Sequence, residues 1–415
     1  MVKNLEIEKK TEPSNRVDAL LALRSFACLI VVISHCNPPR NGIIYKQYDL
    51  SWLIFSHGGI GVWIFFCLSG YLMGKVFYTQ RYTINVPGVI NFWRNRILRI
   101  FPLYYFAVLI LSVFVYSDIL KIENWGYLLR IITFTYNNSL PINWNGAMWS
   151  LSTELQFYLL VPFIYTCLSP VLKHTKNILI TAIVIIILIF IARYIVWVGF
   201  RNQINLDMQY AYRYWYTPLI TNLDCFLLGF LVNSLIISQE KHLLYFNKLV
   251  SYHQTKLKVI SIFLLIILYL VTAYHLYHQE LFLLPNRDGT GIRTATSFFI
   301  WQPLTALITS FFIFVFEYDV YHYHNNNGNL SLAGILKNPF KSIDFFGNVS
   351  YGVYLWHIPV FQKISPIFTT QVPIEAFYAK LNATLIISIL LATVTYYIIE
   401  VPFGKRKMYT VNANK

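Results

Sequence analysis

The chain has 415 residues, of which 56% are hydrophobic, 18% aromatic and only 12% charged, with a formal net charge of +15. A soluble globular domain carries about twice that share of charge, so the composition excludes a water-soluble enzyme and points to a polytopic membrane protein. The basic excess is unevenly spread and reads as a topology signal, which argues against a nucleic-acid partner.

The polar start, Met1 to Arg16, is followed by an apolar run from about residue 18 to 36, without a small-residue cleavage site, so no removable signal peptide is expected. Nine further runs are long enough to span a bilayer, at roughly 58–79, 98–117, 147–169, 177–199, 216–237, 257–275, 297–317, 343–365 and 381–403. The expected fold is therefore all-α: a polytopic bundle of about ten transmembrane helices. With the N-terminus inside, cytoplasmic segments hold about twice as many Lys and Arg residues as outer loops, which predicts both termini in the cytoplasm. A short tail (1–15), a transmembrane domain (16–404) and a second tail (405–415) then account for the chain. The outer loops 37–57, 118–146, 200–215 and 276–296 are rich in Trp, Tyr, Asn and Pro, as suits an interfacial or sugar-contacting rim. No internal repeat is visible, which weakens the rival reading of a glycan or lipid transporter.

The first run contains Arg24 and His35. Ionisable side chains inside a span are costly, and by default mark function. Eleven residues make about three helical turns, so both face one side, about 16 Å apart along the axis. His35 suits proton abstraction from a hydroxyl. Arg24, always charged, needs a carboxylate, a phosphate or water. Glu154, early in the fourth span, has Ser150 and Tyr158 four residues to either side on its own face. It could orient the His35 ring, stabilise an imidazolium or pair with Arg24, and the sequence leaves the three open. Ser150 and Ser152 are candidate donors to the same network rather than nucleophiles.

Arg94, Arg96 and Arg99 cluster at the start of the third span, near Lys75 and Arg81. Topology explains part of this charge, but guanidinium forks also suit phosphate oxygens. The glycines 58, 59 and 61 precede an apolar helix and follow no strand, so they are not a nucleotide loop. Ser69 and Gly70 suggest close helix packing or backbone approach by a ligand. His357, in the ninth span, either lines an acceptor path or bonds to a neighbouring helix. Glu400 is expected to make a polar contact near the end of the last span. The five cysteines, an odd number in apolar runs, imply neither disulfides nor a metal site, and Cys28 and Cys36 read as packing. The histidines 322 and 324, beside Asn325 to Asn327, match no zinc spacing, and no metal is expected.

Five stretches resemble, in order, the signature blocks of acyltransferase family 3, the integral-membrane enzymes that O-acylate bacterial surface carbohydrates. They are RVDALLALRSFACLIVVISH, GVWIFFCLSGYLM, FWRNRILRIFPLYY, AMWSLSTELQFYLLVPF, and SYGVYLWHIPV with the later IIEVPF. Each alone is weak; the ordered set covers nearly the whole chain. The resemblance implies acyl transfer, foremost of acetyl, from cytoplasmic acyl-CoA to a hydroxyl of an O-antigen, exopolysaccharide or other envelope glycan, in the bacterial inner membrane. It implies His35, Glu154 and Arg24 as catalytic residues and Arg94, Arg96, Arg99 and Ser69 around the CoA. Trp149, Ser150, Tyr158 and His357 would face substrate. The sequence departs from the family pattern at Leu21, Ala22 and Ser25 around the first-helix arginine, and at Trp63. The fused extracytoplasmic hydrolase-like domain of some members is not expected.

Overall fold

The computed structural model describes residues 17–135, 144–206, 210, 212–237, 243–278, 296–323 and 340–408. Helices occupy all ten predicted runs: α1 (Ala19–His35), α2 (Gly58–Tyr78), α3 (Val86–Phe114), the short α4 (Trp125–Ile132), α5 (Trp149–Leu168), α6 (Thr175–Leu206), α7 (Leu219–Ile237), α8 (Leu243–Tyr277), α9 (Gln302–Tyr323), α10 (Lys341–Ile364) and α11 (Pro373–Thr395). Among the described residues, eight helical segments are long and apolar enough to cross a membrane. The two left out are α1, whose 17 residues fall just short of a full span, and α10. The latter is lengthy but polar, with Asp344, Asn348, Ser350 and His357 along it. These two pack on each other, so the least lipid-like helices form the interior.

Local chemistry sets the helix ends. Asp18 caps α1 by accepting from the Leu20 and Leu21 amides, while its own amide donates to Asp344 at 2.9 Å, joining α1 to α10. Asn85 caps α3 through the Gly88 amide at 2.8 Å, with Pro87 in the first turn. This start lies twelve residues before the predicted 98, so Arg94, Arg96 and Arg99 sit within the helix rather than at its entrance. The predicted 200–215 loop is largely helical, because α6 runs to Leu206 and a π turn covers Tyr212–Tyr216. A small ribbon in the 37–57 loop pairs Ile44 with Asp49 and Tyr45 with Tyr48. It is held down where the Tyr277 hydroxyl bonds Asp49 and Arg40 donates to the Tyr277 carbonyl at 2.8 Å.

At the centre α2 crosses α7, and a glycine on each admits the other's backbone. A Cβ on Gly70 would collide with the Phe226 carbonyl, and one on Gly229 with the Cys67 carbonyl. Gly61 does the same against Ala27 of α1, and Gly347 against Leu21. Without a hydrophobic drive between helices in lipid, such close approach is what holds them together. Gly70→Val is expected to abolish the cooperative thermal transition of the protein in lipid nanodiscs, whereas Gly199→Ala, with open space around its Cβ position, should leave it within about 2 °C. Behind this crossing Arg193 and Asp224, each 1% exposed, form an ion pair at 2.7 Å. Arg193 also donates to the Thr221 carbonyl, so the pair clamps α6 to α7. Arg193 lies well inside the fifth apolar run, where its partner, 31 residues away, could not be read from spacing.

Candidate functional site

A cavity of about 380 Å³ opens between α1, α2, α3, α5 and α10, at the end of the bundle where α1 begins and α11 ends. Among the described residues five cationic side chains line it, Arg24, Arg81, Arg96, Arg99 and Lys407, against a single carboxylate, Glu154. The Nε atoms of Arg24 and Arg96 are buried without a hydrogen-bond partner among the described residues. A buried guanidinium that leaves a donor unused is poised for an acceptor that arrives with a ligand.

Lys407 reaches this wall because the chain folds back after α11. The Asn95 side chain holds the backbone of Met408 on both sides, donating to its carbonyl at 2.5 Å and accepting from its amide at 3.0 Å. Asn95 is itself fully buried and also donates to the Tyr82 hydroxyl. Burial, with Arg99, Arg96 and Arg81 close by, lowers the Lys407 ammonium to about 8. Nothing in the sequence pattern singled out Lys407 or Asn95, since a basic tail after the last span is ordinary topology.

Further in, Glu154 accepts hydrogen bonds from the hydroxyls of Ser69 and Tyr158. Among the described residues no ion pair within 4 Å joins it to Arg24 and no hydrogen bond joins it to His35, so two of the three arrangements left open are absent and orientation of the His35 ring falls to another group. Ser150, expected in the Glu154 network, bonds instead to the Tyr354 hydroxyl at 2.8 Å and the Ala147 carbonyl. Ser152 donates to the Phe134 carbonyl, away from Glu154. Trp149 does not line the cavity; its ring packs edge-on against Phe66 and Tyr216. Arg94 also lies off the cavity, and Lys75 is paired with Glu317 at 2.5 Å, where Tyr71 also donates. Glu400, on a π turn at Tyr396–Glu400, is buried with both oxygens unbonded among the described residues, in electrostatic range of Arg99, Arg24 and Lys407.

Tyr354 lines the cavity, and beside it stand two histidines that do not. The Tyr354 carbonyl faces His357 Nδ1 at 2.8 Å, and His357 Nε2 lies 3.1 Å from His35 Nδ1. His35 Nδ1 is also 2.9 Å from the Val31 carbonyl. His357 is fully buried, His35 partly exposed, and neither lines the cavity itself. Arg24 and His35 thus sit on one helix, Arg24 on the cavity wall and His35 off it, with Cys28 between them bonded to the Ser350 carbonyl at 3.7 Å. Among the described residues no group of three or more His, Cys, Asp or Glu side chains could hold a metal ion. The histidine and asparagine run from 324 onward lies outside the described residues.

Residues 17–397 match the family described as "Acyltransferase domain". The protein named "Putative O-acetyltransferase SACOL0978" of Staphylococcus aureus (strain COL) is 24% identical over 416 aligned positions, covering 95% of this chain and 58% of that protein. "O-acetyltransferase OatA" of Staphylococcus aureus (strain NCTC 8325 / PS 47) is 28% identical over 177 positions, covering 39% of this chain and 26% of its own length. The chain thus spans somewhat over half the length of the first of these. No solved structure matches it. A family match across residues 17–397, enclosing Arg24, His35, Glu154 and the cavity's arginines, identifies the chain as a member of acyltransferase family 3.

Proposed function

We propose that this protein is a bacterial inner-membrane O-acyltransferase, which moves an acyl group, foremost acetyl, from cytoplasmic acyl-CoA to a carbohydrate hydroxyl. The observation that carries the reading is the excess of cationic side chains in a cavity one of whose lining residues, Tyr354, adjoins a histidine pair. The phosphates of a nucleotide thioester need several guanidiniums and ammoniums at one end and an uncharged path for the pantetheine arm. Arg81, Arg96, Arg99 and Lys407 meet the first need; Val62, Phe65 and Leu68 supply apolar wall for the second. Arg24 lies on the same wall, with its unused Nε donor available to the incoming donor molecule.

His35 would act as general base. The hydroxyl oxygen bonds to the acyl carbon as its proton passes to His35, the carbon–sulfur bond breaks, and the proton is returned to the thiolate to leave CoA as the free thiol. Glu154, held by Ser69 and Tyr158, balances the cationic wall rather than the base. The relatives named O-acetyltransferase support this class of reaction. The decisive test is acetyl-CoA turnover by the purified protein in nanodiscs with a soluble glycoside acceptor, followed by mass spectrometry of the product. An acetylated glycoside is expected. A glycan transporter would leave acetyl-CoA untouched.

Lys407 makes the donor site sensitive to pH. Its ammonium is charged below about 8 and is lost as the pH rises through that value, so kcat/KM for acetyl-CoA should decline above pH 8. One charge-assisted hydrogen bond predicts a loss of about tenfold. Lys407→Arg, charged throughout, should remove that decline. An unchanged alkaline limb in the arginine variant would take Lys407 out of the donor site.

A further inference from the structure

We infer that His357 is the positioning residue for His35, and that the two imidazoles form a dyad in which a second histidine does what a carboxylate does in a Ser-His-Asp triad. The inference rests on the general-base reading of His35, and its premise is the order of the hydrogen bonds. A carbonyl oxygen can only accept, so the Tyr354 carbonyl, 2.8 Å from His357 Nδ1, requires a proton on that nitrogen. A neutral His357 ring protonated there presents a lone pair at Nε2. His35 Nδ1, 3.1 Å away, must then supply the proton, and the Val31 carbonyl at 2.9 Å demands the same. Two independent acceptors thus hold His35 as the Nδ1–H tautomer, leaving the Nε2 lone pair as the basic site. Nε2 has no hydrogen-bond partner among the described residues, and the ring is partly exposed.

The dyad keeps its geometry when the base works. The hydroxyl proton goes to His35 Nε2, making an imidazolium whose Nδ1–H still points at the His357 lone pair and the Val31 carbonyl. Charge is stabilised without any atom having to move, and return of the proton to the sulfur restores the starting tautomer. His357 is suited to the task because it is fully buried among packed neighbours and locked by its own helix. Glu154, the only carboxylate on the cavity wall among the described residues, is committed to Ser69 and Tyr158.

Two measurements on the full-length protein in nanodiscs test this. In nitrogen-15 spectra of histidine-labelled protein, the ring resonances missing from His35→Ala are expected to belong to a neutral ring protonated at Nδ1; a ring protonated at Nε2 overturns the inference. In steady-state kinetics, His357→Leu removes the acceptor and should lower kcat about 10²-fold or more with the donor KM unchanged. His357→Gln, whose side-chain oxygen can accept from His35, should keep kcat within about tenfold of the parent. Wild-type kcat in His357→Leu overturns the inference, as does an equal loss in both variants. If the leucine variant does not fold, the spectra of the unaltered protein still decide. Full activity in His35→Ala would instead overturn the general-base reading, and with it the catalytic part of the dyad.

Discussion

His35→Ala is expected to abolish acyl transfer, with a fall in kcat of about 10³-fold or more, while acetyl-CoA still binds. The separation follows from position. His35 is at the far end of α1, beyond Tyr354, whereas the cationic side chains that would hold the donor line the cavity on the near side. The alanine variant should also keep its thermal transition, because the side chain is partly exposed and its hydrogen-bond partners among the described residues are the Val31 carbonyl and His357, at 2.9 and 3.1 Å. Equilibrium binding of radiolabelled CoA, run beside the transfer assay, checks both halves. Near-normal transfer by the variant would remove the base; lost binding would place His35 in the donor pocket instead.

The second large effect is on affinity. Replacing Arg96 and Arg99 together by alanine should raise the dissociation constant for CoA by about 10²-fold or more, since each charge-assisted hydrogen bond contributes about 1.5–3 kcal/mol. The loss should shrink as ionic strength rises, because salt screens the remaining attraction. Arg130→Ala, on α4 at the opposite end of the bundle, should change nothing. Unaltered affinity in the double variant would disqualify the cavity as the donor site. Dephospho-CoA, which lacks the 3′-phosphate, can then show whether either arginine takes that group, as the single variant that loses least with this analogue identifies the partner.

The sequence made the helices legible because bilayer length and apolar composition are averages over about 20 residues, which survive errors at individual positions. Boundaries were less visible: α3 starts at Val86 because Asn85 and Pro87 form a cap, a local signal that a hydropathy window smooths away. The stripe of Arg24 and His35 could be read from the helical period alone. So could the face bearing Ser350, Tyr354 and His357, spaced four and three residues apart, which lies against that stripe. What spacing could not supply was partnership between helices. Glu154 reads from the sequence as a partner for His35 or Arg24 with Tyr158 on its own face; the structure bonds it to that Tyr158 and to Ser69 of α2, and bonds His35 to a residue 322 positions away. Lys407 and Asn95 were silent for a related reason: their significance arises only when the chain after α11 doubles back on α3.

That return has a consequence for how the protein is made. The cavity wall is assembled from α1, α2, α3, α5 and α10, then completed by Lys407, which Asn95 fastens in place through Met408. A polypeptide still leaving the ribosome therefore owns most of the arginines long before it owns a finished pocket. On the proposed donor site, inserted but unfinished copies would hold a nucleotide thioester more weakly than the completed chain, by about the tenfold that one charge-assisted hydrogen bond supplies.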